Sequence, residues 1–246
     1  MTGFVRAKKS NGEFRTPFNP VQSNFGSDYT EGSAWQYSWY SPQDNAGLIR
    51  MLGGDAGLVS KIDQVFDAKV DPTVYAHMED ISGLIGHYAH GNEPSHHVAY
   101  LYDYAGAPWK TQARLAQIVA SQYHDAPDGL AGNDDLGQMS AWFAFTSFGF
   151  YPVAPGSNEY VIGRPFVERA TLNLPNGKHF TVRTEGLSPA NGYVGRITLN
   201  GKPLTRTFLR HEEITAGGEL VFTMQAAPNK DWGMAKSARP YTQTAY

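Results

Sequence analysis

The periodicity of this chain changes once, near Tyr151, and that change limits the folds open to it. Before it, apolar residues recur at helical spacing. Leu58, Ile62, Val65 and Phe66 do so in DAGLVSKIDQVFDA (55–68), and Leu115, Ile118, Val119 and Gln122 share a stripe in PWKTQARLAQIVASQYH. HHVAYLYDYAG (96–106) reads as a further helix closed near Gly106. GQMSAWFAFTSFGF (137–150) is apolar nearly all round, which predicts an inner helix packed on several sides. After Tyr151 the pattern alternates in short runs. ERATLNLPNGKHFTVRTEG turns at Asn176-Gly177 and YVGRITLNGKPLTRTFL at Asn200-Gly201, a dipeptide suited to tight hairpins. GGELVFTM supplies another strand. The expectation is an α+β chain with helices over 1–150, an antiparallel β module over 151–246, and a tail from about Asp231.

The first 45 residues, rich in Gly, Asn, Ser and aromatics, read as loop followed by a short aromatic helix. The helices are few for a closed helical toroid, yet their apolar faces need partners, so the chain reads either as a compact α+β domain or as part of a larger architecture. The net charge of -3, from 20 basic and 23 acidic residues, gives no reason to expect binding to nucleic acid or to anionic membranes. With no cysteine, disulfides and thiolate metal sites are excluded. MTGFVRAKKSNGEFRTPF has no apolar signal core, and no apolar run reaches membrane-spanning length, so no export signal and no membrane segment are expected.

Three clusters carry the chemistry. GNEPSHH (91–97) and GNDDLGQMS (132–140) share a form: Gly, Asn, an acid, then a helical pattern. One acid at such a place is explained by N-capping, since its side chain accepts from backbone amides two or three residues on. Two adjacent acids, Asp134 and Asp135, exceed what a cap needs; with an Asn beside them they also suit a hard cation such as calcium. EF-hand spacing is absent. His96 and His97 lack the HExxH spacing, and no cysteine completes a zinc site, so packing and hydrogen bonding are their simpler roles. The third cluster, YTEGSAWQYSWY (29–40), sets Glu31 ahead of Trp35, Tyr37, Trp39 and Tyr40. Separated carboxylates among aromatics and amides are the inventory of glycoside hydrolysis, in which one acid donates a proton and another activates water.

TEGSAWQY, GNEPSHH and GNDDLGQMSAW, with the following GFYPVAPGSNEYVIGRP, closely resemble family 92 of the glycoside hydrolases, from GFVRAKKSNGEFRTPF to APNKDWG. That resemblance implies an exo-acting, calcium-dependent α-mannosidase that inverts the anomeric configuration and acts on α-mannoside glycans. It implies a β-sandwich packed on an (α/α)6 toroid, of which this chain resembles the C-terminal part: partial toroid helices, then a C-terminal antiparallel β segment. Carried over residue by residue, Glu31 matches the general acid and Asp135 the general base, with Asp134 sharing that work or orienting water and the metal shell. Asn92, Glu93 and Asp135 are the implied calcium ligands. Trp35, Gln36, Glu93, His96 and His97 are the implied substrate contacts. The implied partners are the absent N-terminal portion or a second copy. Full-length relatives are expected in the periplasm or secreted.

Two other readings stand beside this one. A truncated, non-catalytic mannosidase segment would bind carbohydrate or a partner chain without turnover. A stand-alone β-rich carbohydrate-binding module is disfavoured by the uninterrupted motifs of the helical half.

Overall fold

The computed structural model describes residues 3–23 and 27–246; Asn24 to Gly26, within the expected opening loop, lie outside the described residues. The helical half holds α1 (Ala34–Tyr37), α2 (Asn45–Met51), α3 (Asp55–Asp67), α4 (Leu101–Tyr104), α5 (Pro108–Gln122) and α6 (Gln138–Phe148). A small hairpin, β1 (Leu84–Ile85) with β2 (Tyr88–Ala89), interrupts it. The β half holds β3 (Phe150–Tyr151), β4 (Glu159–Ile162), β5 (Arg169–Asn173), β6 (His179–Glu185), β7 (Tyr193–Leu199), β8 (Lys202–Pro203), β9 (Phe208–Arg210) and β10 (Gly218–Gln225), with a short α7 (His211–Thr215) before the last strand. No helix among the described residues is long and apolar enough to cross a membrane.

Local chemistry explains most of these elements. α3 buries Leu58, Ile62, Val65 and Phe66, and α5 buries Leu115, Ile118 and Gln122, as their spacing requires. The segment 96–106 divides: a 3-10 turn over Val98–Tyr100 runs into the one-turn α4, and Gly106 ends it at φ 71°. Asn200 (φ 50°) and Gly201 (φ 76°) both sit at positive φ between β7 and β8, the backbone a tight hairpin demands.

The β half departs from an all-antiparallel module. Its five-stranded sheet runs β5-β6-β10-β7-β8, and β10 enters between β6 and β7, parallel to β6 with Leu220 opposite Val182 and antiparallel to β7. The last strand thus pairs with one laid down about forty residues earlier, a long-range choice that no hairpin signal reports. A three-stranded sheet, β3-β4-β9, packs beside it. Phe150, Ile162 and Leu209 from the small sheet meet Phe180, Leu220 and Phe222 from the large one in one core. A second core gathers Trp39, Ile62, Tyr100, Leu115 and Trp142 under the helices, and Phe145 packs against both.

Two expectations are corrected. α6 is not enclosed on several sides: Met139, Trp142, Thr146 and Ser147 are buried, but Ala141, Phe143 and Ala144 are exposed. Its apolar composition states a need for cover that no described segment fills on that face. The residues after Asp231 are also no loose tail. Arg239 donates to both carboxylate oxygens of Asp55 at 2.9 Å and to the Tyr104 carbonyl, while Thr242 and Thr244 donate to Asp44, the N-cap of α2. The chain end therefore straps the β half back onto α2 and α3.

Asp103 in α4 is fully buried. One carboxylate oxygen accepts from Thr111 Oγ1 and the other has no hydrogen-bond partner, and burial pushes its pKa well above the ordinary value. Folded, the group keeps its proton as pH rises; unfolded, it releases it, so its contribution to stability is lost upward from the ordinary carboxylate range. Asp103→Asn removes that loss. The expected gain over the parent is small at pH 4 and widens by about 1.4 kcal/mol per pH unit until the folded pKa is reached, as urea denaturation at pH 4, 5.5 and 7 will show.

Candidate active site

The loop ahead of α6 separates the two adjacent acids. Asp134 is the capping group. Its side chain accepts from Ser140 N at 2.8 Å and Ser140 Oγ at 2.7 Å, its carbonyl accepts from Met139 N, and the Ser140 bonds hold its pKa below the usual carboxylate range. Asp135 is turned away by the backbone. Asp135 (φ 45°), Leu136 (φ 58°) and Gly137 (φ 86°) are three consecutive left-handed residues, and only the third is glycine. This turn carries the Asp135 side chain off the helix end and into a cavity of about 630 Å³.

That cavity is lined by Glu93, His97 and Asp135, by Gln138 and Tyr151, and by an apolar lip that includes Leu136. Burial raises the pKa of Glu93, and Asp135 and Glu31 raise it further by their charge, Asp135 also through a shared hydrogen bond. No Lys or Arg lines the cavity. The carboxylates are therefore gathered without a protein counter-charge.

The histidines are held neutral. Burial lowers His96 to about 4, with His97 lowered as well. His96 is spent within the protein: Nε2 bonds the His90 carbonyl at 2.9 Å and Nδ1 faces Gln138 Nε2 at 3.2 Å. Since an amide NH2 only donates, Nδ1 accepts and the ring proton sits on Nε2. His96 lines the cavity without a free hydrogen-bonding atom. His97 donates from Nε2 to the Trp39 carbonyl at 2.9 Å, which leaves Nδ1 as an acceptor. Behind them, His90 is fully buried between Tyr88 Oη and Tyr123 Oη, 2.8 and 2.6 Å away, and Trp142 Nε1 donates to the His96 carbonyl at 2.9 Å.

The cavity thus brings together Glu93, His96, His97 and Asp135. It does not include Glu31, Asp134, Asn92, Trp35 or Gln36. Glu31 is close enough to act on Glu93, and its carbonyl accepts from Asn92 Nδ2 at 2.9 Å, tying the TEGS loop to the GNEP loop. Gln36 is fully engaged elsewhere: Oε1 accepts from Ser33 N and Ser33 Oγ, closing a capping box on α1, and Nε2 donates to the His87 carbonyl at 2.6 Å. Trp35 stacks on His87 with centroids 4.3 Å apart, beneath Lys61. Both side chains are engaged within the protein, and for Gln36 the Ser-x-x-Gln spacing is the signal of that engagement. Gln138, Tyr151 and Leu136 are among the lining residues that the sequence does not single out; Gln138 and Leu136 stand within GNDDLGQMS itself. Among the described residues no group of three or more His, Asp or Glu side chains is arranged to hold a metal ion.

Leu136 is 111% exposed, so it loses no packing on truncation, yet it keeps a left-handed backbone that costs a branched side chain about 1–2 kcal/mol. Leu136→Gly relieves that cost against a smaller loss from the freer unfolded chain. A net gain of about 0.5–1 kcal/mol is expected in urea denaturation.

A model of the glycosyl hydrolase family 92 catalytic domain matches residues 1–226. Among solved structures, a family GH92 α-mannosidase from Bacteroides thetaiotaomicron in complex with mannoimidazole is 41% identical, with a TM-score of 0.93 over 98% of this chain and 32% of that one. A GH92 inverting mannosidase from the same organism is 36% identical, with a TM-score of 0.85 over 97% of this chain and 33% of that one. A protein of Arthroderma benhamiae named as an uncharacterized secreted glycosidase is 33% identical over 226 residues, 91% of this chain and 27% of that protein. The chain spans about a third or less of the length of these relatives.

Proposed function

The chain belongs to family 92 of the glycoside hydrolases, and from that membership we propose that it carries the catalytic acids of an α-mannosidase that hydrolyses terminal α-mannosidic linkages with inversion. The observation that supports this most directly is the acidic cavity, where Asp135 and Glu93 face one space with His97 and no Lys or Arg among the lining residues. On this reading α1 to α6 are part of an (α/α)6 toroid ending near residue 150, and residues 151–246 form the β module that follows it.

Asp135 takes the proton from the attacking water; Glu31, matched through TEGSAWQY, gives its proton to the glycosidic oxygen. Asp134 holds the start of α6 and so positions Asp135. His97 Nδ1 accepts from a sugar hydroxyl, and Gln138 holds His96 and Tyr151 in the wall. Two carboxylates without a counter-charge, next to a carbonyl-bearing Asn92, are a donor set that fits a hard cation such as calcium. Glu93, Asp135 and Asn92 would hold it. The ion, when bound, supplies positive charge and open positions for sugar hydroxyls. The secreted relative supports a place outside the cytoplasm for full-length members.

The bare face of α6 favours a second reading, in which the chain binds mannosides but turns nothing over until a further segment or a second copy closes the site. Mannose release from an α-mannobiose by the purified chain, with calcium and with a chelator, separates the two. Release that the chelator abolishes is the expected result. Binding of mannoimidazole without release supports the second reading, and neither binding nor release by a folded chain overturns both.

A further inference from the structure

Two arginines in this chain are buried to nearly the same degree, and they are treated very differently. Arg239, 8% exposed, is satisfied by both oxygens of Asp55 and by the carbonyls of Tyr104 and Met234. Arg164, 9% exposed, stands in the segment between β4 and β5 and makes no ion pair and no hydrogen bond with any described residue. Its Nε is buried without a partner, and its guanidinium lies against the Phe166 ring at 4.7 Å. A guanidinium does not shed its charge at any ordinary pH, so this is a cation largely withdrawn from water, with Nε buried and its terminal nitrogens without a partner among the described residues. Burial works against the charge, and the phenol of Tyr193 is the group that works for it.

The space beside it is open. A methyl group built on Gly192 would meet a single heavy atom within 4 Å beyond its chain neighbours, Arg164 Nη1 at 3.9 Å. Gly192 directly precedes β7, whose Val194 N donates to Gln112 Oε1 of α5 at 3.0 Å. Arg164 Nη1 therefore faces open space beside the start of β7, the strand that Val194 ties to α5. Neither Arg164 nor Gly192 lines the acidic cavity.

We propose that Arg164 and the Gly192 backbone form a binding site for a small oxyanion, of the chemistry shared by acetate and inorganic phosphate, at the junction of α5 and β7. With Nε closed off, the contact is made by the terminal nitrogens, so the site takes a small anion end-on. The bound charge supplies what Asp55 supplies to Arg239, and it ties the β4–β5 segment to the start of β7. The site does not depend on the mannosidase reading.

The test is thermal unfolding of the whole chain at fixed pH and ionic strength in chloride, acetate and phosphate. A rise in Tm of about 2–4 °C over chloride is expected when the oxyanion stands at roughly five times its dissociation constant. Arg164→Met removes the guanidinium and reports the general salt effect alone; equal shifts in parent and variant overturn the proposal. Gly192→Asp tethers a carboxylate in the gap and leaves Arg164 in place. It is expected to raise Tm in chloride and to erase the further rise with added oxyanion, so a full rise in this variant overturns the proposal even if Arg164→Met does not fold. The part of each shift that Arg164→Met removes, compared between phosphate and acetate, identifies which oxyanion the site prefers, and a shift that the substitution does not reduce in either salt overturns the site.

Discussion

Asp135→Asn is expected to lower mannose release about 10²–10⁴-fold while leaving the fold intact, because a positioned general base contributes a factor of that size. The substitution is unusually clean. Position 135 sits at φ 45°, and asparagine tolerates the left-handed region better than almost any other side chain, so the turn carries no new strain. The capping of α6 belongs to Asp134 and is untouched. Removing the Asp135 charge also withdraws one of the influences that raise Glu93, so the Glu93 pKa is expected to fall, which carboxyl NMR can follow. Asp134→Ala is the matched control. It deletes the bonds to Ser140 and should lower stability modestly, with the loss of activity much smaller than for Asp135→Asn. Equal loss of activity in two folded variants would show that the acids share the base role and that the division drawn from the turn is wrong.

What the sequence made legible follows the range of the interactions concerned. The Asn200-Gly201 turn and the stripes of α3 and α5 are set by residues a few positions apart, and they stand where the pattern put them. The insertion of β10 between β6 and β7 depends on partners far along the chain. So does the Arg239–Asp55 bond, which joins residues 184 apart, and a polar stretch without periodicity therefore read as a tail. The apolar run of α6 stated correctly that it needs cover, but composition does not say from which side cover comes. In the site, GNEPSHH and GNDD led to the cavity through Glu93, His97 and Asp135. The paired acids remained ambiguous because the cap acts from outside the formal start of the helix, three positions before Gly137. Gln36 is the opposite case: the Ser-x-x-Gln spacing stands in plain view, and the capping box takes its Oε1 while Nε2 is taken by the His87 carbonyl.

The largest effect on stability is expected at Trp142, where the helical core and the cavity wall are one structure. The side chain is fully buried, meets His90 edge to face at 4.4 Å, lies parallel to the Tyr123 ring, and donates from Nε1 to the His96 carbonyl. Trp142→Ala removes the ring, leaves a cavity against His90 and strands the carbonyl of the residue that lines the acidic site; a loss of about 3–5 kcal/mol is expected in urea denaturation. Trp142→Phe separates the two contributions. It keeps most of the apolar contact and deletes the donor, and the unpaired His96 carbonyl alone is expected to cost about 1–3 kcal/mol. The histidine is the link to function. His96 is fixed by the His90 carbonyl on one nitrogen and Gln138 on the other, and Gln138 in turn donates to Tyr151 Oη in the cavity wall. Loosening its backbone should therefore weaken mannoside binding in the Phe variant, at a temperature where that variant is still folded. Unchanged binding there would mean that the wall is held by Gln138 and Tyr151 without the tryptophan.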